Sequence, residues 1–384
     1  MAQQENRALV IGGGVGGLAA AVGLRQLDID AAVFERAKNL QQAQVGGAFT
    51  MYSNAMRPLI ELGLGSQVQA AGSVIERVQL RAWHGAVYAA RDLSLLIRRW
   101  DAPTVGISRT NMHKILTGAV GEDVLRMDTE CTGFEQDGNT VTANFANHPD
   151  ERGDFLIGAD GSRSLLRTQQ FPDSERRYAG YTVWQGIAED FEHERIPEDM
   201  LVIWYGRGLR LCLYHVGKGR PYWAALLTTP EGGRDPDNGS KEAARELFRG
   251  WQDPLEAMID ATPPEAISRM DNFGGVPLER WGTGRVTLLG DAAHPTTIDV
   301  GQGACQAIED AFCLKQSLQA ERDVPTALQA YERRRIDRTN KVMKLAWQVG
   351  SVGQWRNPVM IRVRRYFMGI GWDRHLRSLA AVED

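Results

Sequence analysis

Residues 7–17 read Arg-Ala-Leu-Val-Ile-Gly-Gly-Gly-Val-Gly-Gly, and residues 31–36 read Ala-Ala-Val-Phe-Glu-Arg. The apolar residues 8–11 predict a buried strand, and residues 18–27 have a helical composition. Gly12, Gly14 and Gly17 stand between them in the spacing G-x-G-x-x-G. A second apolar run, residues 31–34, predicts the next strand. The stretch therefore predicts a strand, turn, helix and strand of the kind that binds dinucleotides.

Each glycine of this motif has its own physical role. Gly12 allows a tight turn, Gly14 lets the backbone approach a pyrophosphate without a Cβ in between, and Gly17 lets the helix pack close to the strand. The free N–H groups at the helix N-terminus attract phosphate. Glu35 ends the second strand eighteen residues after Gly17, where the hydroxyls of an adenosine ribose need an acceptor. The pattern does not distinguish NAD from FAD.

The composition is that of a soluble globular protein. The 384 residues are 43% hydrophobic, enough for one large core or two smaller ones. With 44 basic and 48 acidic residues the net charge is −4, so no nucleic-acid partner is expected. The N-terminus lacks signal-peptide character and no apolar run approaches the roughly 18 residues that span a bilayer, so we expect a cytoplasmic protein. Four cysteines without a C-x-x-C pair indicate neither a zinc site nor a disulfide framework.

The middle of the chain predicts β structure. Residues 74–100 and 181–229 contain short β-type runs, and residues 124–145 predict strands that turn at Asp137-Gly-Asn. Within residues 209–216, Arg210, Cys212 and Tyr214 share one strand face, and such a mixed face is suited to line a pocket. Helices are expected over residues 54–64, from Ser108 or Thr110 onward, and over 241–260, 304–318, 326–349 and 358–381.

Two later loops also follow predicted strands. One contains Asp160-Gly161, and the other runs from Gly290-Asp291 to Gly301-Gln-Gly303, where a helix begins. With the first motif, their order and spacing resemble the FAD-dependent aromatic hydroxylases, the p-hydroxybenzoate-hydroxylase-like class A flavoprotein monooxygenases. The likeness covers nearly the whole chain. It implies an α/β (α+β) fold in which a Rossmann-like FAD-binding domain is interleaved with a β-sheet substrate domain.

The domain boundaries expected from this resemblance are discontinuous. The FAD-binding domain is expected from residues 1–73, 101–180 and 270–350, and the substrate-binding sheet from residues 74–100 and 181–269. Residues 351–384 are expected to form a C-terminal helical segment.

The resemblance also implies the cofactor contacts. The glycines approach the pyrophosphate, Glu35 holds the ribose, and Arg109 reaches the FAD chain. Asp291 binds the ribityl hydroxyls, and Asp160 contacts both FAD and nicotinamide. Residues 301–305 face the flavin pyrimidine, where the N–H groups of a helix start would stabilise the negative charge of a reduced flavin. The full predicted set is Gly12, Gly14, Gly16, Gly17, Glu35, Arg36, Thr50, Arg109, Cys131, Asp160, Asp291, Gly301, Gln302, Gly303, Ala304 and Cys305.

The sequence has one dinucleotide fingerprint and no second Rossmann unit. This matches the family pattern of one non-covalently bound FAD with NADH or NADPH as a transient co-substrate and no metal. The implied function is a single-component monooxygenase in which NAD(P)H reduces the flavin, O2 adds at its C4a position, and the hydroperoxide hydroxylates an aromatic or heteroaromatic small molecule.

Three alternatives stay open. One is epoxidation of an isoprenoid or olefin, which the tryptophans of the β region, Trp184, Trp204 and Trp223, favour. The basic, aromatic residues 362–377 would then serve membrane association, although a helix closing the back of the FAD domain is expected instead. The others are a non-oxygenating FAD oxidoreductase and an interaction protein with structural FAD. Either a monomer or a homodimer is compatible with the sequence.

Arg210, Tyr222 and Asp299 match active-site positions of the FAD-dependent urate hydroxylase branch, and we predict that they are catalytic. A guanidinium can fix an anionic or carbonyl-bearing ring, a phenol can donate to a ring heteroatom, and a carboxylate can steer a proton. The first two share a site only if the hairpin at residues 217–219 has a three-residue loop, which places Tyr222 opposite Tyr214.

The loop before Gly301 departs from the family pattern at one position. Ile298 stands where the family usually has a proline, which would make the loop rigid and aim its carbonyl group at the substrate. His294 lies in the same loop, and we interpret it as a packing residue rather than a catalytic base.

Overall fold

The computed structural model describes residues 7–39, 47–121, 123–235 and 239–380. The glycine-hinged segment 45–50, which the sequence predicts to lie against a flat ring, begins outside these ranges, since Val45 and Gly46 are not among the described residues. None of the helices in the described ranges combines the length and hydropathy that crossing a bilayer requires.

The described strands are, in chain order, β1 (Arg7–Ile11), β2 (Asp30–Phe34), β3 (Ala48–Met51), β4 (Ser73–Ile75), β5 (Arg77–Ala82), β6 (Val87–Asp92), β7 (Thr104–Ser108), β8 (Leu125–Arg126), β9 (Cys131–Gln136), β10 (Val141–Phe145), β11 (Glu151–Gly153), β12 (Phe155–Gly158), β13 (Arg177–Ile187), β14 (Met200–Tyr205), β15 (Leu209–His215), β16 (Pro221–Leu227), β17 (Ser268–Gly274) and β18 (Val286–Leu288).

The described α-helices are α1 (Val15–Arg25), α2 (Ser53–Glu61), α3 (Gly65–Ala71), α4 (Ser94–Trp100), α5 (Arg109–Val120), α6 (Leu165–Gln170), α7 (Ser240–Leu247), α8 (Leu255–Asp260), α9 (Gly303–Ala320), α10 (Val324–Gly353) and α11 (Pro358–Ala380). Short 3₁₀ turns cover Pro264–Ala266, Gly290–Ala292 and Ile298–Val300.

The first motif builds the centre of a parallel sheet. Strand β1 pairs with β2 on one side and β12 on the other, and the full order is β18-β12-β1-β2-β8. Helix α1 packs against α9 and α5, so its small residues lie in the core. The loops after β1, β12 and β18, which carry the three predicted motifs, therefore leave the same edge of one sheet, because parallel strands end on the same side.

The β region forms a separate seven-stranded sheet with the order β17-β13-β16-β15-β14-β5-β6. One of its faces is covered by α7 and α8 and contains Trp184, Trp204 and Trp223 in a buried cluster. The tryptophans therefore give no support to an isoprenoid substrate, because their side chains lie on the face opposite to Arg210 and Cys212. Their indole N–H groups donate to Asp235, Gln252 and Thr262.

Two local predictions are also corrected. Residues 94–100 form helix α4 rather than a β-type run. The single helix predicted over residues 241–260 is two helices, α7 and α8: a turn in which Gly250 has a φ of 75° follows α7, and Pro254, which has no N–H to continue the ladder, directly precedes α8. Of the two predicted starts of α5, Ser108 and Thr110, the structure has Ser108 as the cap, because its hydroxyl accepts from the backbone N–H of Asn111.

Candidate active site

A cleft of about 930 Å³ lies between the parallel sheet and the open face of the seven-stranded sheet. Among the predicted residues, it is bordered by Arg36, Thr50, Arg109, Asp160, Arg210, Tyr222, Asp291, Asp299, Gly301, Gln302, Gly303 and Ala304. The structure thus brings all three predicted catalytic residues and most of the predicted cofactor residues to one cavity.

The glycines of the first motif differ in what surrounds them. A Cβ added to Gly12 would lie 2.3 Å from the carbonyl oxygen of Ala159, and one added to Gly17 would lie 2.0 Å from that of Gly12. A Cβ on Gly16 would meet Leu289 at 2.6 Å, whereas one on Gly14 would meet no atom within 4 Å. Gly12, Gly16 and Gly17 therefore serve packing, and Gly14 leaves open space beside the N-terminus of α1.

Glu35 fixes this turn from the end of β2. Its carboxylate accepts from the backbone N–H groups of Gly13 at 2.8 Å and Ala37 at 2.9 Å. A carboxylate has about four acceptor sites, so capacity remains for ribose hydroxyls. Arg36 beside it is exposed to the cleft.

Arg109, at the start of α5, and Asp291, in the loop after β18, both border the cleft. The Arg109 guanidinium lies over the Phe49 ring at 5.1 Å, and Asp291 Oδ1 lies 3.6 Å from where a Cβ on Gly303 would be. Removal from bulk water lowers the pKa of Arg109 and raises the pKa of Asp291. A polar ligand in the cleft would stabilise the charged forms of both side chains.

Asp160 combines a helix cap with a free oxygen. Its Oδ2 accepts from the backbone N–H groups of Leu165 and Leu166 at the start of α6, while its Oδ1 is buried and lacks a partner among the described residues. Cys131 does not border the cleft. Its thiol donates to the Gly133 carbonyl at 3.3 Å, and burial raises the pKa of Cys131 to about 11.

The loop before α9 is held from behind by a buried polar network. Gln302 Oε1 accepts from Asn54 and Gln306 at 3.0 Å each, while Gln302 Nε2 has no partner in the described part of the chain. Cys305 lies inside the protein, with its thiol 3.2 Å from the Thr50 carbonyl. Side chains from other segments therefore hold the loop in place, and Gln302 itself borders the cleft.

His294 belongs to the same structural support. Its Nε2 lies 2.5 Å from Asp310 Oδ2, and the ring is fully buried against Trp281. Arg335 donates to the other oxygen of Asp310 at 2.6 Å. These contacts agree with the interpretation of His294 as a packing residue.

Arg210 and Asp299 form a buried ion pair at the cleft wall. The guanidinium donates to Asp299 Oδ1, and the hydroxyl of Tyr181 donates to Oδ2. Burial acts to lower the pKa of Arg210, but the Asp299 carboxylate outweighs it and raises that pKa above its ordinary value. Arg210 Nε has no partner among the described residues. The guanidinium therefore stays charged at the cavity wall, although the ion pair as a whole is neutral.

Two glycines of α10 make room for this pair. A Cβ on Gly350 would lie 2.6 Å from both Asp299 Oδ2 and the Tyr181 hydroxyl, and one on Gly353 would lie 2.9 Å from Arg210 Nη1. The backbone of α10 thus packs directly against the ion pair. Sequence reasoning missed Tyr181 and both glycines, although the spacing of two glycines at i and i+3 in a long helix signals close packing.

Tyr222 lies on the same sheet face as Arg210, at the other end of a flat shelf. Tyr214 pairs with Tyr222 across the hairpin, as the three-residue loop predicted, and Arg210 pairs with Leu226. Between these two pairs stand the small residues Cys212 and Ala224, which face each other. The ends of the shelf are four residue steps apart, about 13 Å along the strand. Such a surface suits a planar ring.

The Tyr222 hydroxyl is oriented by a second residue that sequence reasoning missed. It donates to Gln185 Oε1 at 2.8 Å, and burial raises the pKa of Tyr222 above its ordinary value. The phenol therefore stays protonated at neutral pH, and its oxygen can still accept a hydrogen bond.

Ile298 has a role that proline could not fill. Its backbone N–H donates to Asn272 Oδ1 at 3.3 Å, and proline has no such donor. The isoleucine side chain borders the cleft and is 36% exposed. The loop is thus fixed by a side-chain hydrogen bond from β17 and adds an apolar group to the cavity wall.

The residues of this cleft fit an extended dinucleotide cofactor. The open space at Gly14 lies at a helix N-terminus, where phosphate is favoured. Two residues that border the cleft, Asp160 and Gln302, each carry a buried atom without a partner among the described residues, Oδ1 and Nε2 respectively.

A family model for the FAD binding domain matches residues 5–346. The chain belongs to this FAD-binding family. It is 37% identical over 360 residues to the aurachin C monooxygenase/isomerase of Stigmatella aurantiaca, covering 94% of this chain and 93% of the relative. It is 35% identical over 340 residues to the FAD-dependent urate hydroxylase of Klebsiella pneumoniae, covering 88% of each chain.

The solved structures agree with this family assignment. Klebsiella pneumoniae HpxO complexed with FAD and uric acid is similar with a TM-score of 0.90 at 31% identity, covering 98% of this chain and 96% of that one. The predicted α/β fold, the aromatic-hydroxylase family and FAD as the cofactor are thereby confirmed, and the protein is an enzyme of the FAD-dependent monooxygenase type.

Proposed function

We propose that this protein uses NADH or NADPH and O2 to hydroxylate an aromatic or heteroaromatic small molecule. Arg210 carries the proposal: it borders the cleft, and Asp299 keeps its guanidinium charged and in place. A flat shelf runs from it to Tyr222. The similarity to a urate hydroxylase over 88% of the chain supports a planar heteroaromatic substrate.

In this proposal the protein's own residues bind and activate the ring. The Arg210 guanidinium binds an oxygen at one edge of the substrate and stabilises the negative charge that the ring gains when an acidic ring group loses its proton to solvent, which makes the ring more electron-rich. Tyr222 binds a heteroatom at the opposite edge. Bound FAD would accept electrons from NAD(P)H and supply the activation of O2.

Asp299 is proposed to position the guanidinium rather than to remove a proton itself. Both of its oxygens are engaged, one by Arg210 and one by Tyr181. The apolar side chains of Ile203, Leu226 and Ile298 keep water away from the reacting edge.

The predicted FAD contacts and the two-domain division are part of the same proposal. Open space at Gly14 supports the pyrophosphate position, and Arg109 and Asp291 support a polar ligand between the motifs. The placement of β1 and β13–β16 in different sheets supports the division. We retain hydroxylation over epoxidation, since the tryptophans that favoured an isoprenoid face away from the cleft.

A substrate screen with two variants tests the proposal. Planar phenols and N-heterocycles are screened for faster NAD(P)H oxidation coupled to O2 uptake and a hydroxylated product. Arg210→Met should weaken this stimulation by about 10-fold or more, since a lost charge-assisted hydrogen bond is worth roughly 1.5–3 kcal/mol. Asp299→Ala should lower the product formed per NAD(P)H and release hydrogen peroxide instead.

Arg207→Met serves as the matched control, because Arg207 is exposed in the turn before β15. It should behave like the parent, and all variants should keep their FAD. Turnover of the screened compounds at parental rates by both site variants would place the substrate pocket elsewhere. NAD(P)H oxidation without O2 uptake would instead indicate a non-oxygenating oxidoreductase.

A further inference from the structure

Helix α11 has apolar side chains on two opposite faces. Trp372, Leu376 and Leu379 are buried on its inner face, and Trp372 borders the cleft. On its outer face, Tyr366 is 82% exposed and Phe367 is 61% exposed. The residues that complete this outer stripe are Val359, Val363 and Ile370.

The outer stripe is one continuous surface. Its residues stand at positions i, i+4, i+7, i+8 and i+11, which lie on one side of a helix. Strand β6 and helix α4, which pack against α11, also carry exposed apolar side chains, Val87 and Leu95. An exposed apolar patch of this extent on a folded protein marks an interaction surface.

The charge around the stripe is strongly positive, although the whole chain has a net charge of −4. Residues 358–380 contain five arginines and one aspartate. That aspartate, Asp373, is paired with Arg91 at 2.6 Å. Arg364 is buried and donates to backbone carbonyls. The exposed arginines of the helix are Arg362, Arg365, Arg374 and Arg377.

We propose that this outer face of α11 docks on the surface of an anionic lipid bilayer. The helix would lie in the plane of the interface, with Tyr366, Phe367 and the valines below the headgroups and the arginines on lipid phosphates. Long arginine side chains can reach the phosphates while their stems stay among apolar groups.

Charge argues against a second copy of the chain as the occupant. A twofold dimer contact places the same patch against itself. The arginines flanking the stripe would then approach each other without the acidic partners that an anionic surface supplies. The proposal is independent of the reaction, because it concerns a face of α11 that does not border the cleft.

Flotation of the FAD-loaded full chain with lipid vesicles tests this directly. Vesicles of phosphatidylcholine alone are compared with vesicles that also contain phosphatidylglycerol, each at low and high salt. Binding is expected with the anionic vesicles, and high salt should weaken it, since salt screens the arginines.

Two double variants identify the contact. Tyr366→Ser with Phe367→Ser should weaken binding by roughly tenfold or more, as buried apolar area is lost. Arg362→Gln with Arg374→Gln should weaken it by roughly fivefold for each arginine. The matched controls are Val74→Ser and Arg249→Gln, which change an exposed apolar residue and an exposed arginine on other elements and should bind like the parent.

Flavin content and far-UV circular dichroism establish that each variant is folded. Absence of flotation, equal binding to uncharged vesicles, or unchanged binding by both double variants would overturn the proposal. A concentration-dependent dimer that the Tyr366 and Phe367 variant abolishes, without vesicle binding, would identify a second copy as the occupant instead. These outcomes do not depend on turnover, so they are distinct from a failure of the proposed hydroxylation.

Discussion

The buried ion pair between Arg210 and Asp299 should make a large and strongly coupled contribution to stability. Asp299→Asn removes one charge while keeping the side-chain size, and leaves the guanidinium buried without a counter-ion. Arg210→Met removes the other charge and leaves the carboxylate with only Tyr181 as a partner. Breaking a buried pair from one side costs about 3–5 kcal/mol, whereas replacing both charges often costs little.

The size of the effect follows from the burial of the pair and the chain length. The Arg210 side chain is 4% exposed and that of Asp299 is fully buried, so solvent does not screen the loss. An unfolding entropy of about 2.1 cal/mol/K per residue gives about 0.8 kcal/mol/K for this chain. Each single variant should therefore lower the melting temperature by about 4–6 °C. The double variant should lose much less than the sum of the two.

Thermal unfolding followed by circular dichroism at saturating FAD measures the parent, both single variants and the double variant. The difference between the double variant and the summed single variants is the coupling energy. Additive losses would refute the coupling. A melting temperature that falls by less than about 1 °C in Asp299→Asn would show that this variant does not bury an uncompensated charge, which is the reason for the expected cost.

Four further outcomes are expected. Gly14→Val should abolish FAD binding while leaving the fold intact, because the new side chain meets only open space; full flavin content measured by absorbance would contradict the assigned pyrophosphate position. Gly350→Ala should lower the substrate stimulation of NAD(P)H oxidation, because its Cβ would displace the Asp299 carboxylate. Gly118→Ala in α5 is the control, since a Cβ there meets no atom within 4 Å. It should only stabilise the protein, by about 0.5–1 kcal/mol. Equal effects of the two alanine variants on substrate stimulation would contradict the close packing of α10 against the ion pair. Burial lowers the pKa of His375 to about 4. The folded state therefore binds a proton at this histidine less readily than the unfolded chain does. The free energy of unfolding should fall as the pH drops from about 6.5 to 4, by at most about 3 kcal/mol. His375→Phe should flatten that part of the stability curve measured in urea, and an unchanged slope would show that the histidine is protonated in the fold. Heat denaturation should release the yellow flavin into the supernatant; colour retained in the pellet would indicate covalent attachment.

Several features could be predicted from the sequence because they depend on short stretches of chain. The glycine spacing of residues 12–17 is dictated by contacts within one turn, where a Cβ on Gly17 would overlap the Gly12 carbonyl. The pairing of Tyr214 with Tyr222 followed from a loop of three residues, because loop length fixes the register of a hairpin. The aspartates of the later loops were likewise visible as the ends of buried strands.

Other features needed the tertiary structure. Alternation placed Arg210, Cys212 and Tyr214 on one face of their strand, but the packing of α7 and α8 decided which face of the sheet was closed. Tyr181, Arg210, Asp299 and Gly350 come from four separate segments, and no local pattern connects them.

The physical reason for this division is the range of the interactions. Backbone sterics and hydrogen-bond periodicity act over a few residues, so the dinucleotide motif is legible in the chain itself. A buried charge is stable only where a counter-ion and space for both arrive from distant segments. The sequence by itself therefore determined the cofactor fold, and only the assembly of α10 against the β-sheet decided which side chains share the substrate end of the cleft.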